Sequence, residues 1–185
     1  MIKYKAQNNL IVWKLELPIF IDSGSIIDIE TNGYNEIIAF GYISKNVLVS
    51  VLRTKNTDYD QFLNQIYKKL KKLEKPFYGY NTDFEIKFLG YKDSWIDLMG
   101  IHKKLSKIKK TKFPKLKELS PSSYLEYYNI NLDIPNSEIP THWRNYLIKQ
   151  DESLLETIIR HNIMDLISEL HLLITHGFIK SELKL

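Results

Sequence analysis

The 185-residue chain contains no cysteine, which excludes a disulfide framework, a thiolate metal site and a cysteine nucleophile, and points to the cytoplasm. It also lacks any apolar run near the roughly 18 to 20 residues that a membrane span requires. The opening stretch MIKYKAQNNLIVWKLELPIF has no signal-peptide architecture, so neither an anchor nor a targeting segment is expected. No repeat or low-complexity linker divides the chain. With 44% hydrophobic and 12% aromatic residues, a single domain over residues 1–185 is expected, with a core large enough to fold without a partner. Oligomeric state is not fixed by these features.

Charge is unevenly placed. Residues 68–117 hold fifteen lysines against five acids, whereas residues 118–169 hold nine acids against three cations. The segment 103–117, KKLSKIKKTKFPKLK, has eight lysines and no acid. Such a run is either a solvated face or, if clustered in space, a surface that attracts a polyanion, with Lys109, Lys110 and Lys112 at its centre.

The order of elements is that of an α/β chain. Extended, β-branched segments are predicted at 10–17, 25–31, 36–44 and 47–54. A helix carrying Tyr59, Phe62, Leu63, Ile66, Leu70 and Leu73 follows, then a strand at 77–80, a helix from Thr82 and a strand near WIDL at 95–98. The remainder is predicted to be helical, broken at Pro114, Pro121, Pro135 and Pro140, and ending in one helix from about Glu152 to Thr175.

The segment SIIDIET at 25–31 carries the first chemical signal. A strand alternates faces with period two, so Asp28 and Glu30 share one side with Ile26, while Ile27, Ile29 and Thr31 take the other. Two carboxylates about 6 to 7 Å apart are costly to bury without a countercharge, and a hard divalent cation supplies one. The alternative is a strand end whose acids stay in water.

In the final helix, Leu155, Ile159, Ile163, Leu166, Ile167, Leu170, Leu173 and Ile174 form an apolar stripe, with Thr157, Arg160, His171 and Thr175 on the wet side. Asp165 falls on a flank among Leu154, Ile158 and Leu172, with His161 one turn before it, so that flank is expected to pack against another element. Its carboxylate needs a partner, either a metal or His161 itself.

In YGYNTDFEIKFL at 78–89, a strand runs into a helix whose first turn holds Glu85. Thr82 and Glu85 also have the spacing of a capping box, which would account for the acid without any metal. Asp97 in WIDL either supports the same edge or caps the next helix. His142 and Trp143 are read as a surface histidine and a core tryptophan, the other reading being contact with substrate.

Together these features resemble the DEDD, or DnaQ-like, 3′-to-5′ exonucleases of the ribonuclease H fold over about residues 25–175. DIETNGY resembles the first family motif, NTDFEIKFL the second and HNIMDL the third. The spacing and the LKEL stretch at 116–119 look most like the YprB-like group. The resemblance implies a mixed central sheet with flanking helices and a helical C-terminal part. It also implies two Mg²⁺ or Mn²⁺ ions held by Asp28, Glu30, Glu85 and Asp165, oxygen-only ligation favouring these ions over zinc.

The implied substrate is DNA or RNA, entering as a single-stranded 3′ end that meets Thr31, Tyr34 and Asn81, with the lysine run on its backbone. Two positions depart from the family pattern. Glu85 stands where the family has Asp, and His161 lies four residues before Asp165, where the family places Tyr, its own His lying five before. His161 is the candidate general base. The other classes open to such a chain are a non-catalytic nucleic-acid-binding or protein-interaction module and a structure-specific endonuclease.

Overall fold

The structure is a computed structural model that describes residues 3–7, 9–110, 112, 114–119 and 134–177. Its centre is a seven-stranded mixed sheet. The strands are β1 (Lys3–Gln7), β2 (Leu10–Glu16), β3 (Ser25–Thr31), β4 (Ile37–Ser44), β5 (Val47–Arg53), β6 (Phe77–Gly79) and β7 (Trp95–Asp97), in the order β1-β2-β5-β4-β3-β6-β7. From β1 through β3 the pairs are antiparallel, whereas β3, β6 and β7 run parallel. The edge strand β1, ahead of the first predicted strand, has no counterpart in the sequence reading.

The helices are α1 (Tyr59–Leu70), α2 (Asp83–Leu89), α3 (Gly100–Lys109), α4 (Ile139–Lys149) and α5 (Glu152–Thr175). The long helix expected at 152–175 is therefore present. Of the helical remainder, 120–133 with its break at Pro121 lies outside the described residues.

Two hydrophobic cores sandwich the sheet. On one face α1 buries Phe62, Ile66 and Leu70, spaced four apart, against Ile27, Ile29 and Phe40. Its start is fixed by Asp58, whose carboxylate accepts from the Gln61 amide at 2.9 Å. On the other face α5 buries Leu155, Ile159, Ile163, Leu166 and Leu170 together with Ile26, Ile38 and Ile43. The period-two reading of β3 holds: Ile26 belongs to the α5 core, and Ile27 and Ile29 to the α1 core. Asp28 and Glu30 therefore face α5.

That helix lies unusually close to the sheet because of Gly41, the β4 partner of Asp28. A Cβ on Gly41 would come within 2.3 Å of the Asn162 side-chain oxygen and 2.6 Å of Leu166 Cδ1. No larger residue leaves room for this contact. The sheet register shifts between Glu30 and Thr31, and such irregularities re-aim side chains at strand ends.

Among the described residues no helix is long and apolar enough to cross a membrane.

Candidate metal centre

Strand β3 ends beside parallel strands β6 and β7, and the loops beyond their carboxyl ends enclose a cleft of about 920 Å³. Asp28, Glu30, Glu85 and Asp165 all line it, together with His161 and Glu169. The four predicted carboxylates thus converge from β3, α2 and α5. Asp28, Glu30 and Glu85 are buried, Asp165 partly so.

Helix geometry explains the contribution of α5, because His161, Asp165 and Glu169 recur every four residues and so follow one line along it. His161 Nε2 lies 3.5 Å from Asp165 Oδ2 and 3.8 Å from Glu30 Oε1. Ligand atoms of Glu30, His161 and Asp165 all fall within 4.8 Å of one another, a grouping able to hold a metal ion. Among the described residues neither ring nitrogen of His161 has a hydrogen-bond partner, although the residue is buried.

Asp28 is held from behind. The Asn162 amide donates to Asp28 Oδ2 at 2.6 Å, and its oxygen accepts from the Ser50 hydroxyl at 2.6 Å. This bracing orients one carboxylate oxygen and leaves the other for the cleft, as an outer-shell partner does in metal sites. Neither Asn162 nor Glu169 stands out in the sequence. Asn162 lies inside HNIMDL but acts across 134 residues. The one signal for Glu169 is its position a turn after Asp165.

The capping-box reading of Glu85 is corrected. Thr82 is the residue before α2 but makes no side-chain cap bond, and its backbone is already helical at φ −58°, ψ −9°. A capping side chain needs extended backbone at that position. Glu85 is buried instead, and its Oε2 has no hydrogen-bond partner among the described residues. Asp83, two residues earlier, is exposed.

Burial is the main reason that these acids resist ionisation. It raises the Asp28 carboxyl well above the usual range, with further repulsion from Glu30, Asp165, Glu169 and Glu85. Glu30 is raised in the same way by burial and then by Asp165 and Glu85. Burial lifts Glu85 to about 8, and Glu169 is also raised, by burial and then by Glu85. Glu169 Oε1 accepts from the Tyr80 amide at 2.6 Å, but Oε2 has no hydrogen-bond partner among the described residues.

Among the described residues no lysine or arginine ion-pairs with Asp28, Glu30, Glu85 or Glu169. Burial of a charge costs several kcal/mol per ion even after relaxation, so this cluster has the donor set of a divalent-cation site: hard oxygens, buried and, among the described residues, without a lysine or arginine countercharge.

The remaining predicted residues divide. Thr31 and Asn81 line the cleft, whereas exposed Tyr34 lines a neighbouring one. Lys109, Lys110 and Lys112 are exposed but do not line the cleft, and among the described residues the lysines that do are Lys103 and Lys115. Asp97 serves structure: its Oδ1 accepts from the Asn81 and Met99 amides at 3.0 and 2.9 Å, and Oδ2 pairs with Lys103 at 2.7 Å. Trp143 is a core residue, as read.

No curated protein sequence matches the chain. A family model described as the RNase_H superfamily matches residues 25–176, a span that begins with β3 and ends just past α5 and so takes in every carboxylate of the cleft. With its mixed sheet, its flanking helices and most of its length matched, the chain belongs to the RNase_H superfamily.

Proposed function

We propose that the protein is a metal-dependent 3′-to-5′ exonuclease of the DEDD type, hydrolysing phosphodiester bonds of DNA or RNA with two Mg²⁺ or Mn²⁺ ions. One observation carries this reading. Asp28, Glu30, Glu85 and Asp165 converge in an open cleft, and the buried ones have no lysine or arginine partner among the described residues. A scaffold that only binds has no physical reason to bear that cost.

The four carboxylates would hold the ions, which supply Lewis acidity and an activated water for in-line attack on phosphorus. The chain's own groups do the rest. Asn162 and Ser50 fix the rotamer of Asp28. His161, with its Nε2 between Glu30 and Asp165, accepts the proton of the attacking water. Thr31 and Asn81 at the cleft wall contact the terminal nucleotide, and Tyr34 offers an exposed ring to a base, which is worth about 1 to 3 kcal/mol.

The test is incubation with Mn²⁺ and 5′-labelled single-stranded and duplex DNA and RNA. A ladder shortening from the 3′ end is expected, lost in EDTA and in Asp28→Ala and Asp165→Ala proteins that remain folded by circular dichroism. Cleavage that persists in EDTA would overturn the metal mechanism, and cutting of circular single strands would replace exonuclease by endonuclease.

A further inference from the structure

Beside the carboxylate cleft lies a second one, of about 270 Å³, walled by the turn after β3, the turn after β5 and one side of α4. Pro140 lines both clefts. Gly33 sits so close to it that a Cβ there would come within 2.9 Å of the proline ring. Pro140, shared by the two linings, stands as the ridge between them.

The second cleft has the opposite charge. Among the described residues Arg53, Lys55 and Arg144 line it against one acid, Glu36. Arg53 is buried and committed: it ion-pairs with Glu36, and its guanidinium carbon lies 5.1 Å from the ring centroids of both Tyr59 and Trp143. Lys55 and Arg144 are exposed, and neither ion-pairs with an acid among the described residues. Tyr34 stands 72% exposed on a turn fixed by its own amide, which donates to Asn32 Oδ1 at 3.0 Å, and by the Asn32 side chain, which donates to Glu36 at 3.2 Å.

An acidic centre repels a polyanion, so a strand brought there must be held by cations beside it. The sheet order puts Lys55, after β5, on one side of β3 and Lys103, after β7, on the other. Lys103 is already paired with Asp97, whereas Lys55 and Arg144 have their charge to offer.

We propose, resting on the nuclease reading above, that the second cleft is a strand-binding subsite for single-stranded nucleic acid. The strand crosses the Pro140 ridge, Lys55 and Arg144 contact the backbone phosphates beyond the reacting one, and Tyr34 stacks on a base between them. An acidic peptide would satisfy the two cations but would leave the exposed ring without a partner.

The experiment measures anisotropy of a length series of labelled oligothymidylate and oligouridylate with the full chain in Ca²⁺, the strands checked to be uncut, over a range of salt. The double variant Lys55→Glu/Arg144→Glu should lose at least about tenfold in affinity for long strands. Its slope of log affinity against log salt should fall by about 1.4, two contacts at about 0.7 each. Tyr34→Ala should weaken binding about 5- to 150-fold with the slope kept. Lys68→Glu, the charge reversal of each single substitution made on the exposed side of α1, is the control and should keep the wild-type slope.

Wild-type affinity and slope in the double variant, in a protein that binds and cuts strands, would overturn the subsite and leave the nuclease standing. A wild-type chain that binds no strand of any length would overturn both. Equal affinity for polyglutamate, lost in the double variant and indifferent to Tyr34→Ala, would overturn the strand in favour of an acidic peptide.

Discussion

On the exonuclease proposal, Glu85 is where the centre departs from a four-carboxylate pattern that has Asp in this place. It is buried with Oε2 unpartnered, so a neutral amide of the same shape keeps the packing and removes only the charge. Glu85→Gln should fold normally and lose metal affinity and rate together, by more than the ~10–100-fold that loss of an outer-shell partner costs. Asp83→Asn should do little, since Asp83 is exposed. Manganese titration followed by a cleavage assay checks both, and full activity in Glu85→Gln would remove it from the ligand set. His161 is separable from the carboxylates. His161→Ala should cut the rate by about 10² to 10⁴, the usual worth of a positioned general base, while the manganese-induced rise in melting temperature survives. If that rise disappears as well, His161 is a ligand and the base lies elsewhere.

At the scale of elements, the site depends on how closely α5 approaches β4. The contact is made by Gly41, Asn162 and Leu166, and Asn162 is held on both sides, by Ser50 and by Asp28. Gly41→Ala would force the braced amide and Leu166 aside, because neither has open space to enter. Overpacking of a filled core costs about 1 to 3 kcal/mol. The variant should therefore unfold at lower urea concentration and also bind manganese more weakly, since the same shift releases Asp28. Lower stability with unchanged manganese affinity would show that Asp28 keeps its rotamer without Asn162.

For the whole molecule, the raised acids link stability to pH. Asp28, Glu30, Glu85 and Glu169 all have folded-state values above those of the unfolded chain, with Glu85 moved from 4.5 to about 8. The folded protein thus binds protons more tightly than the unfolded one. Their contribution is fully present below the unfolded carboxyl range and is lost as pH rises through the folded values, to about 8 for Glu85. In EDTA the melting temperature should fall between mildly acidic and mildly alkaline pH. Manganese should restore it most at the alkaline end, because metal binding requires deprotonated ligands. Calorimetry across that range with and without the ion measures both limbs, and a metal-free melting temperature that climbs with pH would mean that cations inside the protein already neutralise these groups.

Periodicity and motif order were legible along the chain without any knowledge of its fold. The alternation in SIIDIET placed Asp28 and Glu30 on one face, the stripe over 155–174 marked a single long helix, and three short motifs in order marked the superfamily. These are local properties, set by 2.0- and 3.6-residue repeats that need no knowledge of neighbours. Tertiary structure alone decided whether Thr82 and Glu85 form a cap, because a capping box and an inward ligand share one spacing and only the backbone angles at Thr82 separate them. It alone brought Asn162 to Asp28 and Glu169 to Tyr80, contacts spanning 134 and 89 residues. It also moved the cations at the cleft from the middle of the lysine run to Lys103 and Lys115, and built a second basic cleft from three distant segments. A lone glutamate on a helix or an arginine in a turn carries no periodic signal, and its role depends on what the folded chain sets opposite it.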